Sequence, residues 1–255
     1  ITNRQFKIVF PEGTEPRIIG AAARLNADRI LKPILIGATN DIQQIAAAKG
    51  FNLDGITIID PQEYPTADFE KMVAAFVERR KGKATPEQAQ TILQDPNYFG
   101  TMLVYLNLAD GMVSGAVHST GDTVRPALQI IKTKPGVQRT SGAFIMQRGR
   151  DNERYLFSDC AININPNAQE LAEIAVESAK TAELFDIDPK VALLSFSTMG
   201  SAKADEVTKV QEAARIAHEI APELDIDGDL QFDAAYVPVV ANQKAPDSKV
   251  AGQAT

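Results

Sequence analysis

The chain has 255 residues, with 26 Lys and Arg against 33 Asp and Glu, two His, one Cys and no Trp, for a formal net charge of -7. With 44% hydrophobic and 23% charged residues it has the make-up of a globular protein, which excludes disordered and fibrous classes, and an acidic chain lacks the clustered positive charge that nucleic-acid phosphates demand. One cysteine excludes an internal disulfide, and no apolar run approaches the ~20 residues of a membrane helix, so a soluble cytoplasmic protein without nucleic-acid or membrane partners is expected.

In chain order, KIVF (7–10), ILIG (34–37) and ITIID (56–60) are short Ile- and Val-rich runs that read as buried strands of a parallel sheet. No basic-then-apolar run stands among residues 1–6, so a leader is not expected from them. The intervening segments 15–29 and 39–50 carry Ala, Ile and Leu at helical spacing, and the second is expected to be capped by Thr39 and stopped by Gly50. This β-α-β-α-β order predicts right-handed crossovers, with helices on both faces of an open sheet. A ligand crevice then lies at the carboxyl ends of the strands, where the loop PEGTEPR (11–17) would sit. Further helices are expected over 67–80, from a Thr85-Pro86-Glu87-Gln88 capping box, and over 97–109. ADGMVSGA (109–116) reads as a strand of small residues, ended by HSTGDTVRP (118–126), with Pro126 in the tolerated first turn of a helix running to 133.

A second α/β unit is expected to begin near residue 140. GAFIM (142–146) and YLFSDCAI (155–162) read as an antiparallel pair around a polar loop. NAQELAEIAVESAKTAELF (167–185) is an amphipathic helix capped by Asn167, and VALLSF (191–196) is the most hydrophobic strand, followed by a helix to about Ala221. IDGDLQFDAAYV (226–237) reads as a final strand or pair. Asp225, Asp227 and Asp229 around a glycine fit a turn between two strands better than a cation site. Residues 240–255 are polar and aperiodic.

Two segments suit an anion. In the first, Ser119, Thr120 and Thr123 supply hydroxyls, Gly121 flexibility and Arg125 a fork of donors, at a helix start whose unpaired amides carry partial positive charge. A plain capped helix with a solvated arginine fits the same spacing. In the second, SFSTMGSAK (195–203), Ser197, Thr198 and Ser201 supply hydroxyls, Gly200 allows close backbone approach and Lys203 is a point charge; alone, it also fits a polar turn capping a helix. Neither a G-x-x-x-x-G-K-[ST] nor a G-x-G-x-x-G run is present, so no nucleoside triphosphate or standard dinucleotide fingerprint is indicated. Cys160 has no basic sequence neighbour and reads as a packed residue rather than a nucleophile. His118 fits a hydrogen-bonded structural role, and one Cys with two His make zinc improbable. Arg79, Arg80, Lys81 and Lys83 close a helix, where cations suit the dipole, and would also suit a phosphate on a cofactor tail.

KIVFPEG, DPNYFGTMLV, ADGMVSGAVHSTGDTVRPALQIIKT, LSFSTMGSAK and DGDLQFDAA, in that order, resemble the phosphate acetyltransferase (phosphotransacetylase) family over essentially the whole chain. The resemblance implies reversible transfer of an acetyl group between coenzyme A and phosphate by direct attack in a ternary complex. It implies a homodimer, with coenzyme A as a substrate and no metal or redox cofactor. The expected fold class is α/β: two three-layer α/β/α domains with mainly parallel sheets and a cleft between them, divided as 1–140 and 141–255. By the same resemblance Ser119, Thr120 and Arg125 are catalytic. Thr123, Arg79 or Arg80, Ser197, Thr198, Gly200, Ser201, Lys203 and Cys160 line the substrate, and Gly121 stands where many members carry Ala. Members continue past KAPDSKVAGQA with a strand, a helix and a Ser-Arg-Gly segment followed by a carboxylate, which completes the first domain and is assigned to thiol activation. That segment is not among these 255 residues. A butyryl-phosphate enzyme and a non-catalytic acyl-coenzyme A sensor are the alternative readings.

Overall fold

A computed structural model describes residues 5–135, 137, 139–149 and 153–255. They form two compact units that meet in sequence at Lys132 and Thr133.

The first unit runs β1 (Lys7–Phe10), α1 (Pro16–Ala27), β2 (Lys32–Ile36), α2 (Thr39–Lys49), β3 (Thr57–Ile59), α3 (Thr66–Arg80), α4 (Pro86–Ile92), α5 (Pro96–Tyr105), β4 (Gly111–Met112) and α6 (Thr120–Ile130). Its four strands pair parallel in the order β3-β2-β1-β4. Strand alternation divides the apolar side chains between the faces. Val9, Ile34 and Ile36 pack with Met72, Phe76, Phe99 and Leu103 on one side, and Phe10 and Leu35 pack with Ile19 and Ile42 on the other. Helices on both faces make the three layers. Burial of side chains the size of Phe76 and Phe99 contributes roughly 1.5–3 kcal/mol each.

The Thr85 capping box forms with Gln88, and Gly50 ends α2 at φ 71°. Three expectations change. Thr39 is the first helical residue rather than the cap, and Ala38 at the boundary makes no side-chain cap bond. α6 starts at Thr120, because the Ser119 hydroxyl accepts the Asp122 amide at 3.2 Å and closes the turn there; Pro126 therefore lies inside the helix. The strand expected over 109–116 shrinks to Gly111–Met112, since the Gly115 to His118 amides turn away from the sheet to a carboxylate described below.

The second unit runs β5 (Ala143–Arg148), β6 (Glu153–Ser158), α7 (Ala168–Glu183), β7 (Lys190–Leu194), α8 (Asp205–Ile220), β8 (Asp225–Leu230), α9 (Phe232–Tyr236) and α10 (Pro238–Lys244). β5 and β6 are antiparallel, and β7 and β8 are parallel. The tip of the polar loop, residues 150–152, lies outside the described residues. Leu193 and Ile226 pack against Val176, Val210 and Ala214 of α7 and α8, while Leu230 and Ala192 face Ala234, Ala245 and Val250. Asn167 caps α7 in a reciprocal box with Glu170.

Here too the structure corrects three expectations. The Asp225 to Asp229 stretch is one continuous strand and not a turn; a Cβ on Gly228 would stand 2.7 Å from the Leu193 Cβ, so the glycine serves close strand approach. β6 ends at Ser158, leaving Cys160 in a loop, because the Asp159 carboxylate accepts the amides of Gly142, Ala161, Ile162 and Asn163 at 2.8–3.1 Å and curls the chain. Residues 240–244, at the start of the stretch expected to be aperiodic, belong to α10, which has Pro238 at its first position.

Candidate active site

In the first unit the chain leaves β1 toward β2 on one side and returns to β4 on the other. In an open parallel sheet that reversal places the ligand crevice between the loops that follow the two strands. Those loops are 11–15 and 113–119, and Glu12 joins them. Its buried carboxylate accepts the amides of Gly115 (3.1 Å), Ala116 (2.8 Å), Val117 (2.7 Å) and His118 (2.9 Å), and meets the His118 Nδ1 at 2.8 Å. Burial opposes its ionisation, but the Val117, His118 and Ala116 amides and the His118 ring outweigh that and hold its pKa down to about 2. Arg17, paired with Glu15 at 2.7 Å, donates to the Ala116 carbonyl at 3.1 Å from the other side of the loop. Nothing local in the sequence marks Glu12, whose partners lie about a hundred residues on.

The clamped loop delivers α6. Ser119 caps it, accepting the Asp122 amide and donating to the Asp122 carboxylate at 2.6 Å. Ser119, Thr120 and Gly121 are exposed at its first turn, where N–H groups have no intrahelical acceptor. Arg125 stands one turn on, 3.6 Å from Asp122, with both side chains more than half exposed. Thr123 Oγ1 is buried without a hydrogen-bond partner. It lies 4.0 Å from where a Cβ on Gly115 would be. This end of the sheet therefore carries Ser119, Thr120, Thr123 and Arg125 at the cap and in the first turns of α6, with the Ser119 cap and the exposed Arg125 also present in the plain capped-helix reading.

The basic end of α3 divides into two roles. Arg79 donates to the carbonyls of Ile130 and Ile131, the latter at 2.7 Å, and lies 5.3 Å over the Tyr105 ring; it caps the C-terminus of α6. Arg80 keeps a buried Nε without a partner. Tyr98, whose pKa burial raises, feels the opposing charge of both Arg125 and Arg80, and its hydroxyl donates to Gln129 of α6 at 3.1 Å. Asn97, also buried, accepts from Ser114 at 2.7 Å while its own Nδ2 has no partner. The adjacent ends of α3, α5 and α6 thus present guanidinium, amide and hydroxyl donors.

In the second unit the loop after β7 is tied to itself. Ser197 and Thr198 are buried; the Ser197 oxygen accepts the Ala202 amide at 3.1 Å, Ser201 accepts the Thr198 amide at 3.0 Å, and Thr198 bonds Gln231. Asp229, also buried, accepts from Gly200, at φ 75°, and from Gln211 at 3.0 Å. Burial pushes its pKa up, yet the Ser197 hydroxyl, the Gln211 amide and the Gly200 amide bring it below the ordinary value. Lys203 is exposed. Cys160 is half-buried on a groove of about 630 Å³ with Phe157, Leu194 and Tyr236, its thiol donating to the Phe157 carbonyl at 2.9 Å. Among the described residues no group of three His, Cys, Asp or Glu is placed to hold a metal ion, and no helix is long and apolar enough to cross a membrane.

Residues 1–255 match the family described as "Phosphate acetyl/butaryl transferase". The chain is 60% identical over 254 residues to a phosphate acetyltransferase of Bacillus subtilis (strain 168), covering 100% of this chain and 77% of that protein. It is 55% identical over 259 residues to one of Staphylococcus aureus (strain Mu50), with the same coverage. A crystal structure of a phosphotransacetylase from Streptococcus pyogenes shares the fold at a TM-score of 0.93 and 61% identity, over 100% of this chain and 77% of that one. A branched-chain phosphotransacylase from Enterococcus faecalis V583 shares the fold alone, at 0.59 and 15% identity.

Proposed function

The chain belongs to the phosphate acetyl/butaryl transferase family, and from that premise we propose how its residues carry out the phosphate acetyltransferase reaction. The reaction is the reversible transfer of an acetyl group between coenzyme A and phosphate. The relatives carry the acetyltransferase name, so the butyryl and sensor readings are not favoured.

The observation that supports the site is the start of α6, where the Arg125 Nη2 and the Ser119 Oγ each lie 3.8 Å from where a Cβ on Gly121 would be, beside first-turn amides, and Thr123 keeps a buried, unpartnered hydroxyl. In our reading Ser119, Thr120 and Arg125 hold the phosphoryl group of acetyl phosphate, with Thr123 beneath. The coenzyme A thiolate attacks the acetyl carbonyl in a ternary complex. Charge then builds on the departing phosphate, and preorganised donors that meet it lower the barrier. Of the paired arginines, Arg80 is the substrate ligand, because the Arg79 fork is already bonded to the α6 carbonyls. The hydroxyls of Ser197, Thr198 and Ser201 shape their loop, Gly200 lets it turn, and exposed Lys203 offers its charge to the phosphates of coenzyme A. Cys160 packs and takes no covalent part.

A homodimer, a cytoplasmic location and the absence of a metal or redox cofactor belong to the same proposal and rest on the family resemblance. So does the division at 140, with a further C-terminal segment of the relatives completing the first domain; its support is that this chain spans 77% of their length. The test is thioester formation from coenzyme A and acetyl phosphate, with the 255-residue chain and with a polypeptide of the relatives' full length. Product from the longer polypeptide alone is the expected result. Product from both removes the need for the further segment, and silence from both overturns the reading.

A further inference from the structure

His118 leads directly into the site, and the mechanism above leaves it unused. Its Nδ1 lies 2.8 Å from Glu12 Oε1. Glu12, its pKa held down to about 2, is an acceptor only, so the hydrogen in that bond belongs to Nδ1. In the neutral ring the lone pair therefore sits on Nε2, on the side away from Glu12. The His118 amide donates to the same oxygen at 2.9 Å, so one carboxylate holds both backbone and ring. The side chain is 27% exposed, and the next residue is Ser119, the cap of α6. The charged group in contact with it is Glu12, which itself interacts with Glu15 and Arg17, and Asp122 and Arg125 pair on the α6 turns that follow in the chain.

The reaction needs a proton at this place. Acetyl phosphate reacting as a dianion would expel phosphate as a trianion, a very basic leaving group, unless a proton is delivered as the bond breaks. Resting on the phosphate acetyltransferase reading, we propose that His118 is a further catalytic residue, the acid that protonates the departing phosphate, with Glu12 as its positioning residue. As the thiolate forms the S–C bond, the C–O bond breaks and its electron pair passes to the phosphate oxygen, which takes the proton from Nε2. The ring is left neutral and regains a proton from solvent, which receives the one the thiol gave up. In the reverse direction Nε2 accepts the proton of the attacking phosphate. A carboxylate that orients an imidazole and balances its charge is a general arrangement for such transfer.

The experiment uses a polypeptide of the relatives' full length. His118→Asn keeps a side-chain N–H for Glu12 and has nothing in place of Nε2. Expected are a fall in kcat of about 100-fold, inorganic phosphate binding by calorimetry within about twofold of the unsubstituted protein, since only the acid is removed, and loss of one limb of the kcat–pH profile. If H118N fails to fold, His118→Ala with added imidazole takes its place, and partial recovery of kcat supports the role. Unchanged kcat and pH profile in H118N, a loss confined to phosphate binding and KM, or no recovery by imidazole each overturn it. An unsubstituted polypeptide that makes no thioester overturns the function reading itself, a result seen before any substitution is made.

Discussion

Arg125 and Glu12 are charged residues of opposite use. The Arg125 pair with Asp122 is exposed on both sides and worth at most about 1 kcal/mol, so little is lost when it breaks. Arg125→Ala in a full-length polypeptide is expected to lower turnover about 100-fold in a thioester assay, the loss of one donor to developing charge; a near-normal rate would remove Arg125 from the site. Glu12 is buried, and its bonds are already made. Its pKa is about 2 in the fold against 4.5 ordinarily. A depressed carboxylate stabilises the fold above its unfolded pKa, and that contribution, about 3 kcal/mol, fades as pH falls from 4.5 toward 2. Glu12→Gln should therefore cost stability at pH 7 and much less near pH 2.5, read by urea unfolding at each pH. An equal cost at both would show that the charge is not what holds the loop.

At the scale of elements, short-range chemistry and long-range contact decide different things. The Thr85 and Asn167 boxes join residues three apart, so their helix starts are visible in sequence. The end of β6 is largely local in its cause, since Asp159 gathers the amides of Ala161, Ile162 and Asn163 along with that of Gly142, yet an aspartate after an apolar run carries no distinctive spacing. β8 differs because the reason for Gly228 lies on another strand. Gly228→Ala would push a methyl group against Leu193 and is expected to cost about 1–3 kcal/mol by denaturant midpoint, the usual penalty of overpacking; no change would mean that β7 and β8 separate easily. A turn glycine, as the sequence led us to expect, would tolerate the change better.

Across the whole molecule, each unit holds apolar clusters on both sides of its strands. Because the first domain is completed by a further segment in our reading, residues 1–132 expressed alone are expected to give a broad, weakly cooperative thermal melt by circular dichroism, and a single sharp transition would show that their core needs no further chain. Order and composition alone determined the β-α-β-α-β beginning, the second α/β unit, most helix starts and the phosphate-suited run from Ser119 to Arg125, because propensity, capping and periodicity act over a few residues. Tertiary structure alone decided that Arg79 is taken by carbonyls while Arg80 keeps a free Nε, that Gly228 lies against Leu193, and that Glu12 grips the loop 115–118. Those outcomes depend on which strands become neighbours; Glu12 meets its partners, up to 106 positions away, only because β1 and β4 pair side by side.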